Sequence, residues 1–91
     1  MSKAVRIHIS GQVQGVFYRA TAREQAQNLR LNGWIKNEID GSVMAHIQGE
    51  SQALDQWLQW ARQGPETAKV SGIDISEAGH EPLNCFEIRY R

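Results

Sequence analysis

The stretch Gly11-Gln12-Val13-Gln14-Gly15-Val16-Phe17-Tyr18-Arg19 joins two different periodicities. Before it, Val5, Ile7 and Ile9 alternate with Arg6, His8 and Ser10. That period of two predicts a strand with one buried face. After it, Tyr18, Ala22, Ala26 and Leu29 fall on one stripe, with Arg23, Glu24, Gln27 and Asn28 opposite. This spacing predicts an amphipathic helix packed against a sheet. The stretch is therefore a strand-to-helix turn. Glycine in such a turn takes positive φ without steric cost and lets a ligand approach bare N–H groups. Turns of this kind can gather several N–H groups into an anion-binding concavity.

The predicted helix opens in an unusual way. Val16, Phe17 and Tyr18 stand where a Ser, Asp or Asn cap is expected, so the first N–H groups have no side chain to satisfy them. Arg19 falls in or near the first turn, where the helix dipole disfavours a cation by about 0.3–1 kcal/mol. A bound anion removes both faults, because helix N-termini favour anions. The candidate is an oxyanion pocket built from loop N–H groups and Arg19. Spacing alone leaves open an ordinary turn, with water on the free donors and Arg19 solvated.

Working outward, Asn32-Gly33 is expected to stop the first helix, with Gly33 as its left-handed C-terminal residue. Residues 34–39 read as a second strand and Asp40-Gly41 as a tight hairpin turn. Val43, Ala45 and Ile47 give a returning strand over 42–48. A second helix starts near Glu50-Ser51, carries Leu54, Trp57, Leu58 and Ala61 at helical spacing, and ends at Gly64-Pro65. Ala68 and Val70 share one parity and Ile73 and Ile75 the other, so a β-bulge is expected near Ser71-Gly72. Phe86, Ile88 and Tyr90 alternate as a last short strand. The order is βαββαβ with an extra C-terminal strand. It predicts an α+β, ferredoxin-like sandwich, an antiparallel sheet with two helices on one face.

The 91 residues suffice for one small domain, read here as residues 1–91. Apolar residues make up 41% and charged residues 22%, a globular balance. The single cysteine, Cys85, excludes an internal disulfide and an all-cysteine metal site. No signal-peptide core or membrane-length apolar run is present, so the cytoplasm is the expected compartment. Ten basic residues balance ten acidic ones. This argues against a non-specific nucleic-acid binder, whose affinity rests on excess positive charge.

Two segments carry a family resemblance. Gly11-Gln12-Val13-Gln14-Gly15-Val16-Phe17-Tyr18-Arg19 fills every fixed place of the pattern Gly-x-Val-Gln-Gly-Val-x-aromatic-Arg. Gly33-Trp34-Ile35-Lys36-Asn37 followed by Gly41-Ser42-Val43 fills Gly-aromatic-x-basic-Asn and, three positions on, Gly-x-Val. Both patterns, at this separation, resemble the acylphosphatase family over nearly the whole chain. The family has the ferredoxin-like fold.

The resemblance implies hydrolysis of carboxyl-phosphate anhydrides without cofactor or metal. It also implies two principal residues, which map onto Arg19 and Asn37. Arg19 would grip the phosphoryl group with its planar fork of donors. The N–H groups from Gln14 through Gly15, Val16, Phe17 and Tyr18 to Arg19 would cradle the remaining oxygens. Asn37 would hold the attacking water through its side-chain amide. Glu38, beside it, is expected to point to the other face of its strand and to tune activity. The expected partners are a small acyl phosphate and, as product-like ligands, phosphate or sulfate. No nucleic acid or membrane is expected, and the chain is expected to be monomeric.

The remaining residues favour plainer roles. His8 and His46 occupy polar strand parity and His80 a loop, so all three read as surface histidines without metal-ligand spacing. Cys85 reads as a semi-buried packing residue. Trp57 is expected in the core, Trp60 at its rim, and Trp34 beneath the Asn37 region. Of Phe17 and Tyr18, one should enter the core and the other cover the pocket. Two other functions compete. One is a non-catalytic phosphate-binding regulatory module of the same fold, which retention of both Arg19 and Asn37 disfavours. The other is an RNA-binding domain, which would need aromatics on the first and third strands. Those strands read Val-Arg-Ile-His-Ile and Ser-Val-Met-Ala-His-Ile-Gln. A metal chaperone of this fold would need a Cys-x-x-Cys, which is absent.

Overall fold

The computed structural model describes residues 1–90. Seven elements follow in order: β1 (Ser2–Gln12), α1 (Tyr18–Asn28), β2 (Asn32–Asn37), β3 (Val43–Glu50), α2 (Ser51–Ala61), β4 (Lys69–Glu77) and β5 (Phe86–Arg89). They form a five-stranded sheet in the order β4-β1-β3-β2-β5. All pairings are antiparallel except that of β5, which runs parallel to β2 at the sheet edge. This is the α+β ferredoxin-like arrangement expected, with the extra strand beside β2.

β1 sits between β3 and β4, so the strand leading into the Gly11–Arg19 stretch is held on both sides. Val5, Ile7 and Ile9 point into the core with Val43, Ala45 and Ile47 of β3 and Ile35 of β2. The helices cover this face with Tyr18, Ala22 and Ala26 of α1 and Leu54, Trp57 and Ala61 of α2. Small side chains bring the helices close enough for two reciprocal bonds. Tyr18 donates its hydroxyl to the Ala61 carbonyl at 2.7 Å, and the Trp57 indole donates to the Ala22 carbonyl at 3.0 Å. Burial pushes the Tyr18 phenol far up, so it remains a neutral donor.

The expected bulge is present. Ser10 pairs with Gly72 and Gly11 with Val70, leaving Ser71 as the extra residue of β4. Gly11 permits it, since a Cβ there would lie 2.1 Å from the Lys69 carbonyl oxygen.

Several expectations are corrected. α1 stops before Asn32-Gly33. Its end is closed by Leu31 N–H on the Ala26 carbonyl (2.9 Å) and Arg30 N–H on Gln27 (3.1 Å), with Arg30 in the left-handed region at φ 58. This turn was masked in the sequence because a non-glycine residue makes it. Gly33 lies inside β2, where a Cβ would stand 2.0 Å from the His46 carbonyl oxygen. β2 ends at Asn37, and residues 38–42 form a wider turn than a two-residue hairpin, closed by Glu38 N–H on the Ser42 carbonyl at 2.8 Å. β5 ends at Arg89, which leaves Tyr90 beyond the strand.

The outer sheet face is not simply solvated. Glu81, in the loop over 78–85, accepts from the Trp34 indole (3.1 Å) and from Arg6 (2.8 Å). Its backbone carbonyl and N–H bond the Gln48 side chain. His46 beneath is fully buried, stacked on Trp34 and bonded to Gln48, not a surface histidine. Trp34 packs there among Arg6, Lys36 and Arg89 rather than beneath Asn37. Polar parity misled because the covering loop supplies polar partners. Cys85 is exposed, not a packing residue. Trp57 is in the core and Trp60 at its margin, as expected.

Candidate active site

Between β1 and α1 the backbone alternates in sign. Gly15 has φ 71 and Phe17 φ 64, with Val16 at negative φ between them. Such alternation turns successive N–H groups toward one point. Phe17 is the N-cap of α1 and makes no side-chain capping bond, and no acidic residue stands in the first turn. Among the described residues, no N–H from Gln14 to Ala20 donates to a carbonyl or side chain, whereas Thr21 N–H reaches the Phe17 carbonyl at 3.1 Å. The donors that a helix start normally caps are left together at the loop.

The side chains of this stretch divide by burial. Val13 and Tyr18 enter the core, and Val16 is half-buried, its carbonyl accepting from Thr67 at 2.6 Å. Phe17 is 74% exposed. Its bulk in the left-handed region is a costly conformation, of the kind that persists where surrounding structure imposes it. Gly15, Phe17 and Arg19 line a cavity of about 430 Å³ with Ala20, Arg23, Ile88 and Tyr90. Arg23, one turn after Arg19, was read from the sequence as part of the solvent face. Its spacing of four from Arg19 was the signal available.

Asn37 lines an adjoining cavity of about 440 Å³ with Lys36, Glu38, Ile39 and Tyr90. It is the last residue of β2, paired with Val43. Its side-chain Oδ1 is buried and has no hydrogen-bond partner among the described residues. A buried carbonyl oxygen of this kind calls for a donor. Glu38 lies past the strand end and borders this cavity too, so strand alternation does not carry it to the opposite face.

The two cavities share one wall, Tyr90. The Arg19 guanidinium lies over its ring, 5.2 Å from the centre. The sequence pattern places Tyr90 at the end of a strand and gives no sign that it borders both cavities. Arg19 and Asn37 thus stand on either side of it, one on the helix start and one on the strand end. The turn after Asn37 is braced by Asp40, whose carboxylate accepts from the Ser42 hydroxyl and N–H, and those bonds hold its pKa below the usual range. His8 bonds the Ser42 hydroxyl at 2.7 Å from β1. Among the described residues no three His, Cys, Asp or Glu side chains converge as a metal set.

The family model described as Acylphosphatase matches residues 5–88. The chain belongs to the acylphosphatase family. It is 43% identical to an acylphosphatase of Rubrobacter xylanophilus over 97% of this chain and 81% of that one. The structure of an acylphosphatase from Coxiella burnetii superposes with a TM-score of 0.92 at 34% identity, covering 97% of this chain and 93% of the other. The acylphosphatase from Bacillus subtilis gives a TM-score of 0.93 at 33% identity, covering 99% and 100%. Membership makes the chain a hydrolase of acyl phosphates. No described helix is long and apolar enough to cross a membrane.

Proposed function

We propose that the phosphoryl group of an acyl phosphate binds the N–H groups from Gln14 through Gly15, Val16, Phe17 and Tyr18 to Arg19, with the Arg19 guanidinium on its outer oxygens. Asn37 orients the attacking water. The observation that carries this reading is the pairing of unpartnered loop donors beside Arg19 with a buried, unpartnered Asn37 Oδ1 across Tyr90. The first suits an oxyanion and the second a water proton.

The reaction then needs little covalent help from the protein. Water oxygen bonds to phosphorus as the bond from phosphorus to the carboxyl oxygen breaks. The carboxylate departs as an anion, and the water proton passes to a phosphate oxygen, giving dihydrogen phosphate. Phosphoryl transfer of this kind depends on positioning and on stabilising spread negative charge. An amide cannot accept the proton at neutral pH, so Asn37 acts by aim alone. The single cysteine fits a reducing cytoplasm, where the chain would act as a monomer on a small, diffusible substrate.

Hydrolysis of benzoyl phosphate by the wild type, Arg19→Ala and Asn37→Ala tests the reading. The expected result is a loss of about 100-fold or more in each variant, the scale of losing one oriented donor or one Å of position. Inhibition by inorganic phosphate should weaken in Arg19→Ala and persist in Asn37→Ala. Equal, near-background rates in all three would leave the phosphate-binding module without turnover as the better account.

A further inference from the structure

We propose that the Gln14 side-chain amide is a positioning group that sets Asn37 against the phosphate-binding loop. This rests on the roles given above to Arg19 and Asn37. It adds a task for the Gln14 side chain, separate from its backbone N–H.

The geometry is specific to an amide donor. Gln14 Nε2 donates to the Glu38 carbonyl at 2.7 Å and to the Ser42 carbonyl at 2.8 Å. Both hydrogens of the one nitrogen are thereby spent on the two ends of a single turn. The same carbonyls accept from inside that turn, Glu38 from Gly41 N–H (3.2 Å) and Ser42 from Glu38 N–H (2.8 Å). A carbonyl has two lone pairs, so each is filled only when Gln14 is in place. Among the described residues these are the sole hydrogen bonds between the loop over 13–17 and the turn over 38–42.

Position in the chain gives the bonds their consequence. Gln14 immediately precedes Gly15, whose φ of 71 begins the alternation that gathers the N–H groups. Glu38 immediately follows Asn37, whose pairing with Val43 is the last rung of the β2–β3 ladder. The clip therefore joins the two halves of the site one residue from each. Beyond that rung the turn has no strand pairing of its own. A displacement of one Å at an attacking group can cost about 100-fold in rate.

Gln14→Met keeps the length and removes both donors. Gln14→Asn keeps the amide and withdraws it by about 1.5 Å. With benzoyl phosphate, kcat should fall about 10- to 100-fold in both. KM and the inhibition constant of inorganic phosphate should stay within about threefold, since Arg19 and the loop N–H groups remain. Hydrogen exchange at the Glu38 and Gly41 amides should quicken in Gln14→Met, while that of the central β1 amides does not. Unchanged kcat would overturn the proposal, as would phosphate inhibition weakening in step with kcat, which would place Gln14 on the phosphate itself. A lowered melting temperature with kcat intact would show a structural role only. If the wild type hydrolysed no acyl phosphate, the functional reading would fall by itself. Exchange would then decide the clip, and unaltered exchange at Glu38 and Gly41 would overturn it.

Discussion

The Arg19 guanidinium carbon stands 5.2 Å from the centre of the Tyr90 ring, and that ring is a wall of both cavities of the candidate site. A cation held over an exposed aromatic gains about 0.5–1 kcal/mol. The larger effect is conformational. A long flexible side chain on an uncapped helix start is kept on the cavity side by an aromatic face.

Tyr90→Ala should therefore raise KM for benzoyl phosphate by about two- to fivefold, the equivalent of that energy. Tyr90→Phe keeps the ring and should stay near wild type. Because Tyr90 is 79% exposed, melting temperature should hardly move in either variant. Steady-state kinetics with thermal unfolding checks all three statements.

Arg23 lines the same cavity as Arg19 from the next helical turn. It is exposed, and its charge acts through a solvent-rich medium, where a pair is worth about 1 kcal/mol. Arg23→Gln should weaken phosphate inhibition by about three- to fivefold at low salt. The difference should shrink as salt screens it. Inhibition constants at low and high sodium chloride provide the check.

Phe17 occupies the left-handed region at φ 64 while exposing most of its side chain. Left-handed backbone costs a residue with a Cβ about 1–2 kcal/mol, and glycine's added chain entropy returns about 0.5–1 kcal/mol of that. Phe17→Gly should then be more stable by about 0.5 kcal/mol. Its KM for an acyl phosphate should rise, since the loop loses the stiffness that holds its N–H groups together. Urea unfolding and kinetics on one preparation measure both.

The loop over 78–85 should make the fold acid-sensitive. Bonding from the Trp34 indole, with Arg6, His46 and Arg89 nearby, holds the Glu81 carboxyl below its ordinary value of 4.5. A depressed carboxyl binds fewer protons folded than unfolded. Its stabilisation is therefore present above the ordinary value and is lost as pH falls through the lower folded one. Asp40 is depressed as well and acts with the same sign. Urea midpoints from pH 7 down to about 3 should fall less steeply for Glu81→Gln than for wild type.

Much of this was legible in the residues because burial enforces periodicity. The parity of Val5, Ile7 and Ile9, the stripe of Tyr18, Ala22 and Ala26, and the phase slip at Ser71 each record a face turned to the core. Phe17 and Tyr18 divided as expected, one outward and one into the core. Arg30, His46 and Tyr90 show where such reading stops. Arg30 makes a left-handed turn that propensity assigns to glycine. His46 is polar by type and buried by a loop distant in sequence. Tyr90 gains its place from Arg19 and Asn37, residues far from it along the chain. Long-range partnership of this kind leaves no local trace in a single chain.

The extra residue at Ser71 has a consequence for how molecules tolerate one another. β4 forms an outer margin of the sheet, where a neighbouring copy could in principle add a strand. An interruption there sharpens the local twist, so an incoming straight segment would match only a few rungs before drifting out of step. Lys69, Asp74 and Glu77 add charge along the same margin. A crowded solution should thus find that side of the molecule a poor template for stacking.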